Sequence, residues 1–212
     1  MDTQELISHL AEQPAPRCVG ACPFRMVSLW LGVTFGGILL MVTFLGLRPD
    51  LPLRLAEPLF LAEIAVLFLV LLTSGLSACW LAFPDQRQQP WLVKIPLLPL
   101  AAYAALLAYR IAVPDATAAP LEKDNGIDCA LCITGMAIVP AITLLILVRR
   151  CATTVPRLTG GVALLAAATS GHLMLKFVEA NDSIAHLTLS HILPILLLCG
   201  IGFLLGRKIL AW

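Results

Sequence analysis

Two cysteines three residues apart, Cys129 and Cys132, are the clearest candidates for chemistry in this chain. Side chains at i and i+3 share a helical face, so two thiols at this spacing could bind a soft metal ion together. In an oxidising compartment the same pair could form a disulfide or act as a thiol sensor. A C-x2-C pair also fits a purely structural role, and the spacing leaves these interpretations open. Cys151, further along the chain, is interpreted as a thiol without a role.

Four ionisable residues interrupt otherwise apolar segments: Glu63, His172, Lys176 and His191. Such groups are costly at membrane depth and usually face the interior of a helical bundle. We therefore expect Glu63 and Lys176 to form an intramembrane ion pair. The two histidines could also converge with the two cysteines on a metal or redox site that senses a signal, which is a hypothesis. The interpretation that we favour is that the ion pair serves packing and the histidines are neutral, hydrogen-bonded groups.

The elements that must position these side chains are long apolar helices. Hydrophobic residues make up 59% of the 212 residues and charged residues only 13%, whereas a soluble domain has about 25% charged residues. Crossing a bilayer requires about 20 mostly apolar residues. The sequence therefore predicts an all-α integral membrane bundle of six spans with short linkers and no second soluble domain. The predicted spans are 26–47, 59–83, 91–113, 129–148, 158–178 and 186–206.

The distribution of lysine and arginine near the helix ends predicts the orientation of the bundle. With the N-terminus inside, nine of the 14 basic residues lie on the inner side and five on the outer side. The loop 149–157 and the end of the last span carry most of this bias. We therefore expect both termini in the cytoplasm.

The residues before the first span have the pattern of a short amphipathic helix over 2–13. Leu6, Ile7 and Leu10 share one face of this helix, and the polar residues lie opposite. A helix of this length is marginal alone in water and needs a partner surface. Its apolar stripe and acidic flank suit a groove in another protein better than an anionic membrane. In the alternative interpretation it is a frayed tail that contacts the loops of the bundle.

Several motifs together give the chain a resemblance to a known family. Over nearly its whole length it resembles the NrsF-like family, the negative regulators of sigma-F. The motifs that carry the resemblance are TQELISHLAEQ at 3–13, LGLRPDLPLRLAEPLF at 45–60, CALC at 129–132, RRCATTVPRLTGG at 149–161 and LLGRKILAW at 204–212.

This resemblance implies a six-span anti-sigma factor of the bacterial inner membrane. Family members hold an extracytoplasmic-function sigma factor through a cytoplasmic N-terminal segment until an outside signal frees it. In this chain the corresponding arm is residues 1–25, with Leu6, Ile7 and Leu10 as the sigma-binding face. The implied partners are a sigma factor and the lipid bilayer. No cofactor, catalytic activity or direct nucleic-acid contact is expected, and the oligomeric state is left open.

The chain departs from the family pattern between spans five and six. Members often carry a cysteine there, but residues 176–182 read KFVEAND, so any external thiol pair must come from Cys129 and Cys132. Two other functions are less well supported. A membrane thiol-disulfide oxidoreductase would need a second thiol pair on the same side, and a small transporter would usually show an internal repeat. The sequence has neither feature.

Overall fold

The computed structural model describes residues 2–12, 22–84, 91–113 and 126–211, and the regular structure in these ranges is entirely helical. The last span is one continuous helix with a π-helical section near its start. The helices are α1 (Thr3–Glu12), α2 (Pro23–Leu45), α3 (Leu51–Arg54), α4 (Pro58–Leu81), α5 (Trp91–Lys94), α6 (Leu97–Ala112), α7 (Ile127–Arg149), α8 (Pro156–Val178), α9 (Ile184–His186), the π-helix Leu187–Ile192 and α10 (Leu193–Leu210).

Six helical stretches within these ranges are long and apolar enough to cross a membrane. The predicted all-α bundle of six spans is therefore confirmed, with ends within about four residues of those expected. Proline begins three of the spans, α2, α4 and α8. The first turn of a helix tolerates proline because its backbone N–H groups have no partner inside the helix.

The third span is divided, which the sequence analysis did not predict. Helix α5 ends at Lys94 and α6 starts at Leu97, with Pro96 in the turn between them. Proline has no N–H to donate and its ring crowds the preceding turn. The expected continuous helix over 91–113 is therefore two helices.

Helix α8 lies at the centre of the bundle and is the most buried of the six spans. It packs against α4, α7 and α10. A Cβ atom added to Gly160 would collide with the carbonyl oxygen of Gly202, and one added to Gly206 would collide with that of Pro156. The backbones of α8 and α10 therefore touch directly. Small residues at a helix contact allow two backbones to approach this closely.

The antiparallel spans give the bundle two ends, which differ in composition. We call the end that holds residues 46–57 and 179–183 the distal end. The opposite end, which holds residues 22–25, 150–155 and 206–211, is the proximal end, and α1 precedes the span that starts there.

Candidate functional site

A buried ionic network occupies the distal end, and Glu63 is at its centre. The carboxylate of Glu63 accepts a hydrogen bond from Lys176 Nζ at 2.6 Å and from Arg110 Nη1 at 2.9 Å. The structure thus brings together the two residues that the sequence analysis paired, and it adds Arg110. These contacts join α4, α6 and α8, so one carboxylate links three spans.

Asp182, in the loop after α8, extends the network. Lys176 Nζ lies 3.3 Å from one carboxylate oxygen of Asp182, and Arg48 Nη2 lies 2.8 Å from the other. Arg110 donates to the backbone carbonyl of Asp182 at 2.7 Å. The side chain of Arg48 is fully buried, and it also binds Asp50 at 2.7 Å. The segment that follows α2 is therefore fastened to the end of α8.

The network is balanced in charge. Its salt bridges join four cationic and four carboxylate side chains, and the ring of Phe60 lies 5.5 Å from Arg48 and 5.7 Å from Lys176. This balance matters because an unpaired charge at such depth is costly. The cations are Arg48, Arg54, Arg110 and Lys176, and the carboxylates are Asp50, Glu57, Glu63 and Asp182.

The two aspartates of the connecting segments are held in their charged forms. The hydrogen bond from Arg48 lowers the pKa of Asp50 to about 2. Burial acts to raise the pKa of Asp182, but the charge of Lys176 and the hydrogen bond from Arg48 outweigh it, so the pKa of Asp182 lies below its usual value. Both carboxylates therefore remain ionised at neutral pH.

Next to this network, a chain of aromatic side chains crosses the bundle. Tyr103 Oη lies 2.9 Å from His172 Nε2, and His172 Nδ1 lies 3.1 Å from His191 Nδ1. His172 is fully buried and His191 nearly so. The expected meeting of the two histidines is therefore seen in the structure, and Tyr103 is an additional member.

A third histidine, His186, joins the same cluster. Its ring centroid lies 5.1 Å from that of His191, five residues further along the chain. In an α-helix, residues five apart point in different directions, but the wider turn of a π-helix, with its i→i+5 hydrogen bonds, brings them closer to one face. The π-helix Leu187–Ile192 begins directly after His186 and so brings the two rings to one face.

The start of α7 places Cys129 against these two histidines. A Cβ atom on Gly126 would collide with Ser190, so this part of α7 lies directly on the π-helix. Cys129, His186 and His191 each offer a ligand atom, and these atoms lie within 4.8 Å of one another. The thiol of Cys129 donates to Glu179 Oε2 at 3.4 Å.

The cysteines differ from the expected arrangement in two ways. Cys132 carries a thiol but is not among the three residues that could hold a metal ion, so the convergence involves only one of the two predicted cysteines. Cys151 is disulfide-bonded, so its interpretation as a thiol without a role is wrong.

Three participants were missed by the sequence analysis: His186, Arg110 and Asp182. Arg110 lies near the outer end of the third predicted span and Asp182 in the linker after the fifth, and neither was considered as a partner of Glu63 and Lys176. The position of His186 at the start of the sixth predicted span could have indicated its role. It lies five residues before His191, however, and residues at this spacing do not share a face of an α-helix.

The predicted amphipathic helix before the first span is present as α1. It begins at Thr3, whose backbone N–H donates to the carboxylate of Asp2 at 2.6 Å. Of the three residues assigned to the sigma-binding face, Ile7 is 59% exposed. The side chains of Leu6 and Leu10 lie outside the described part of the structure, as does most of the stretch that connects α1 to α2.

The comparison with protein families gives one match of nearly full length. The family model NrsF, described as negative regulator of sigma F, matches residues 10–212. The matched range contains all six spans and both distal clusters, but it begins near the end of α1. Neither the curated proteins nor the solved structures gave a match.

Proposed function

Because the chain belongs to the family of negative regulators of sigma F, we propose that it is a membrane anti-sigma factor for a sigma factor of the extracytoplasmic-function type. It holds that sigma factor through its N-terminal arm, residues 1–25, and keeps it from core RNA polymerase. An envelope, metal or oxidative signal at the distal end then releases it. The observation that carries the proposal is the family match over the six spans, together with an exposed amphipathic helix ahead of the first span.

The exposure of α1 supports its role as the binding element. Ile7 presents 59% of its surface to solvent, although burying an isoleucine side chain is worth about 1.5–3 kcal/mol. A helix of ten residues is marginal alone and gains stability from docking. An apolar stripe on a short helix is the feature that a groove in a partner protein recognises.

The distribution of exposed charge supports a cytoplasmic proximal end. Seven basic side chains at this end are exposed, whereas the four distal cations of the network are all in ion pairs with carboxylates. The net positive surface therefore lies on the proximal side, as expected for a cytoplasmic face. The seven residues are Arg25, Lys94, Arg149, Arg150, Arg157, Arg207 and Lys208.

Helix α2 offers a physical route between signal and arm. Its proximal end follows the arm directly, and three residues after its distal end Arg48 is fastened to Asp182. A change at the distal end that moves this segment would shift α2 as a rigid rod of 23 residues. Allosteric coupling is typically about 1–3 kcal/mol, enough to change affinity by roughly 5- to 150-fold.

Sigma-factor binding is tested with a charge placed on the apolar face of α1. We expect Ile7→Asp in the full-length membrane protein to abolish co-purification of the sigma factor encoded beside it, because a carboxylate cannot enter an apolar groove. Ser8→Asp is the matched control, since Ser8 is exposed and adjacent on the same helix. It should retain the sigma factor.

The outcomes separate the proposal from its alternatives. If both variants retain the sigma factor, α1 is not the binding element. If the unaltered protein retains none, the chain does not act by sequestration. The same co-purification with added Zn²⁺ or an oxidant tests release, which should appear as sigma factor lost from the membrane fraction.

Orientation needs its own test, because Cys151 at the proximal end is disulfide-bonded and disulfides are favoured in oxidising compartments. Cys22 is exposed at the proximal end, and Leu53 is 70% exposed at the distal end. Two single-cysteine proteins, one retaining Cys22 and one carrying Leu53→Cys, are treated in intact spheroplasts with a membrane-impermeant maleimide. We expect labelling only of the Leu53→Cys protein, and the reverse pattern would overturn the cytoplasmic arm.

A further inference from the structure

We propose that Cys129, His186 and His191 form a binding site for a Zn²⁺-class divalent cation at the distal end of the bundle. The proposed site depends only on the arrangement of these three side chains and does not depend on the proposed anti-sigma function. It differs from the cysteine pair expected from the sequence, because Cys132 has no part in it.

The donor atoms are suited to such an ion. Two imidazoles and one thiolate form a ligand set that Zn²⁺ accepts, and three protein ligands with an open fourth position are common at its non-structural sites. The three ligand atoms already lie within 4.8 Å of one another. A tetrahedral ion at bond lengths of about 2.0–2.3 Å needs only a small inward movement of the side chains.

The histidines have ring nitrogens available for this role. His186 is 8% exposed and His191 2% exposed, yet the Nε2 atom of each has no hydrogen-bond partner within the described residues. A buried polar atom without a partner is unfavourable, because its contacts with water are not replaced. Binding a cation would satisfy both atoms, and we assign these two Nε2 atoms as the nitrogen ligands.

The tautomer of His191 is set by its neighbour. For Nε2 to bind a cation through its lone pair, Nδ1 must carry the proton and donate to His172 Nδ1, 3.1 Å away. His172 then carries its own proton on Nε2 and donates to Tyr103 Oη at 2.9 Å. Metal-bound histidines usually donate their second N–H in this way, so His172 is a positioning residue for the site.

Glu179 completes the arrangement on the sulfur side. Its Oε2 accepts the thiol proton of Cys129, while Oε1 accepts the backbone N–H of Asn181 at 2.8 Å. The thiol must lose its proton to bind the cation, so each metal ion bound releases one proton and leaves Glu179 Oε2 without that partner. The carboxylate, which lies next to the sulfur of Cys129, would offset the remaining positive charge.

The test uses the full-length protein in detergent, stripped with a chelator and titrated with Co²⁺. We expect one Co²⁺ per chain, with the absorption of tetrahedral cobalt and a thiolate-to-cobalt charge-transfer band, both removed by Zn²⁺. Cys129→Ser should remove the charge-transfer band. Cys132→Ser, one helical turn away on α7, is the matched control and should leave the spectrum and the affinity unchanged.

Two further variants test the histidines. His191→Gln should weaken Co²⁺ binding by more than about 100-fold, because a ligand contributes more than the 10- to 100-fold that is typical of residues supporting ligands. His172→Phe should weaken binding by about 10- to 100-fold but preserve the tetrahedral spectrum, which a merely structural defect would not do. Thermal unfolding without metal checks that each variant is folded.

Three results would overturn the site. The first is a folded protein that binds no Co²⁺, and the second is an octahedral cobalt spectrum without a thiolate-to-cobalt band. The third is loss of that band in Cys132→Ser while Cys129→Ser retains it. If Co²⁺ binds as expected but the unaltered protein retains no sigma factor, the site stands and only the anti-sigma proposal fails.

Discussion

The distal and proximal ends of this bundle are held together by different forces. At the distal end, four cations and four carboxylates pair with one another among the spans and their connecting segments. At the proximal end, α8 and α10 meet through glycine backbones, and the basic side chains around them are exposed. One end is fixed by directional charge pairs and the other by dispersion between closely fitting surfaces.

This difference suggests how a signal at one end can reach the other. Ion pairs and imidazoles respond to protons and metal ions, because their energies depend on charge. Glycine contacts do not respond to either, so the proximal end of α8 and α10 can remain fixed while the distal end rearranges. Helix α2, which carries the arm, contacts α4, α7 and α8 and has Arg48 at its distal end.

The largest expected effect comes from breaking the distal network. Lys176→Met leaves the buried carboxylate of Glu63 with Arg110 as its remaining partner, and we expect a loss of about 3–5 kcal/mol in the free energy of unfolding. Lys208→Met, the same substitution at the exposed proximal end, should change it by less than about 0.5 kcal/mol. Denaturant titration in detergent measures both. Equal losses would mean that the two ends do not differ as described.

A smaller effect is expected from the glycine contact at the proximal end. A methyl group at Gly202 would meet the backbone of Gly160, so Gly202→Ala should cost about 1–3 kcal/mol. Gly200, two residues earlier on α10, has open space around it. Gly200→Ala should be neutral or stabilising by up to about 1 kcal/mol, because alanine favours the helix. If both variants lose stability equally, the contact between α8 and α10 is not the cause.

The smallest expected effect is an acid dependence of the distal end. The pKa of Asp50 lies at about 2 in the folded protein, below its reference value of 3.8. Its contribution is therefore complete above pH 3.8 and is lost as the pH falls toward 2. In Asp50→Asn we expect a lower thermal midpoint at pH 6 and a smaller further loss at pH 3 than in the unaltered protein. If Asp50→Asn and the unaltered protein lose the same amount of stability between pH 6 and pH 3, a group other than Asp50 causes the acid dependence.

The fold was predictable to a large degree, and the site only in part. Run lengths of apolar residues located all six spans, but not the break at Pro96. Glu63 and Lys176 were expected to pair because two opposite charges in apolar segments have few other ways to be satisfied. Their further partners Arg110 and Asp182 were not identified, since both lie near the ends of spans, where water could equally serve them.

His186 and Cys132 show the limit most clearly. The C-x2-C spacing offered Cys132 as the partner of Cys129, but in the structure the two possible ligands that lie near Cys129 come from the sixth span. His186 reaches that position because the backbone there is π-helical, and a regular α-helix would have turned it away from His191. The choice between α and π hydrogen bonding depends on how the helix packs, which no local pattern reports.

Hydropathy established the number of helices and their approximate ends, and the positions of lysine and arginine then gave the excess of basic residues on one side. It could do so because a bilayer acts on each stretch of about 20 residues separately, through length and polarity. The pairing of α8 with α10, the partners of each buried charge and the meeting of Cys129 with two histidines depend on which helix faces are turned toward each other. That is settled by packing between residues far apart in the chain, so it emerged only from the folded bundle.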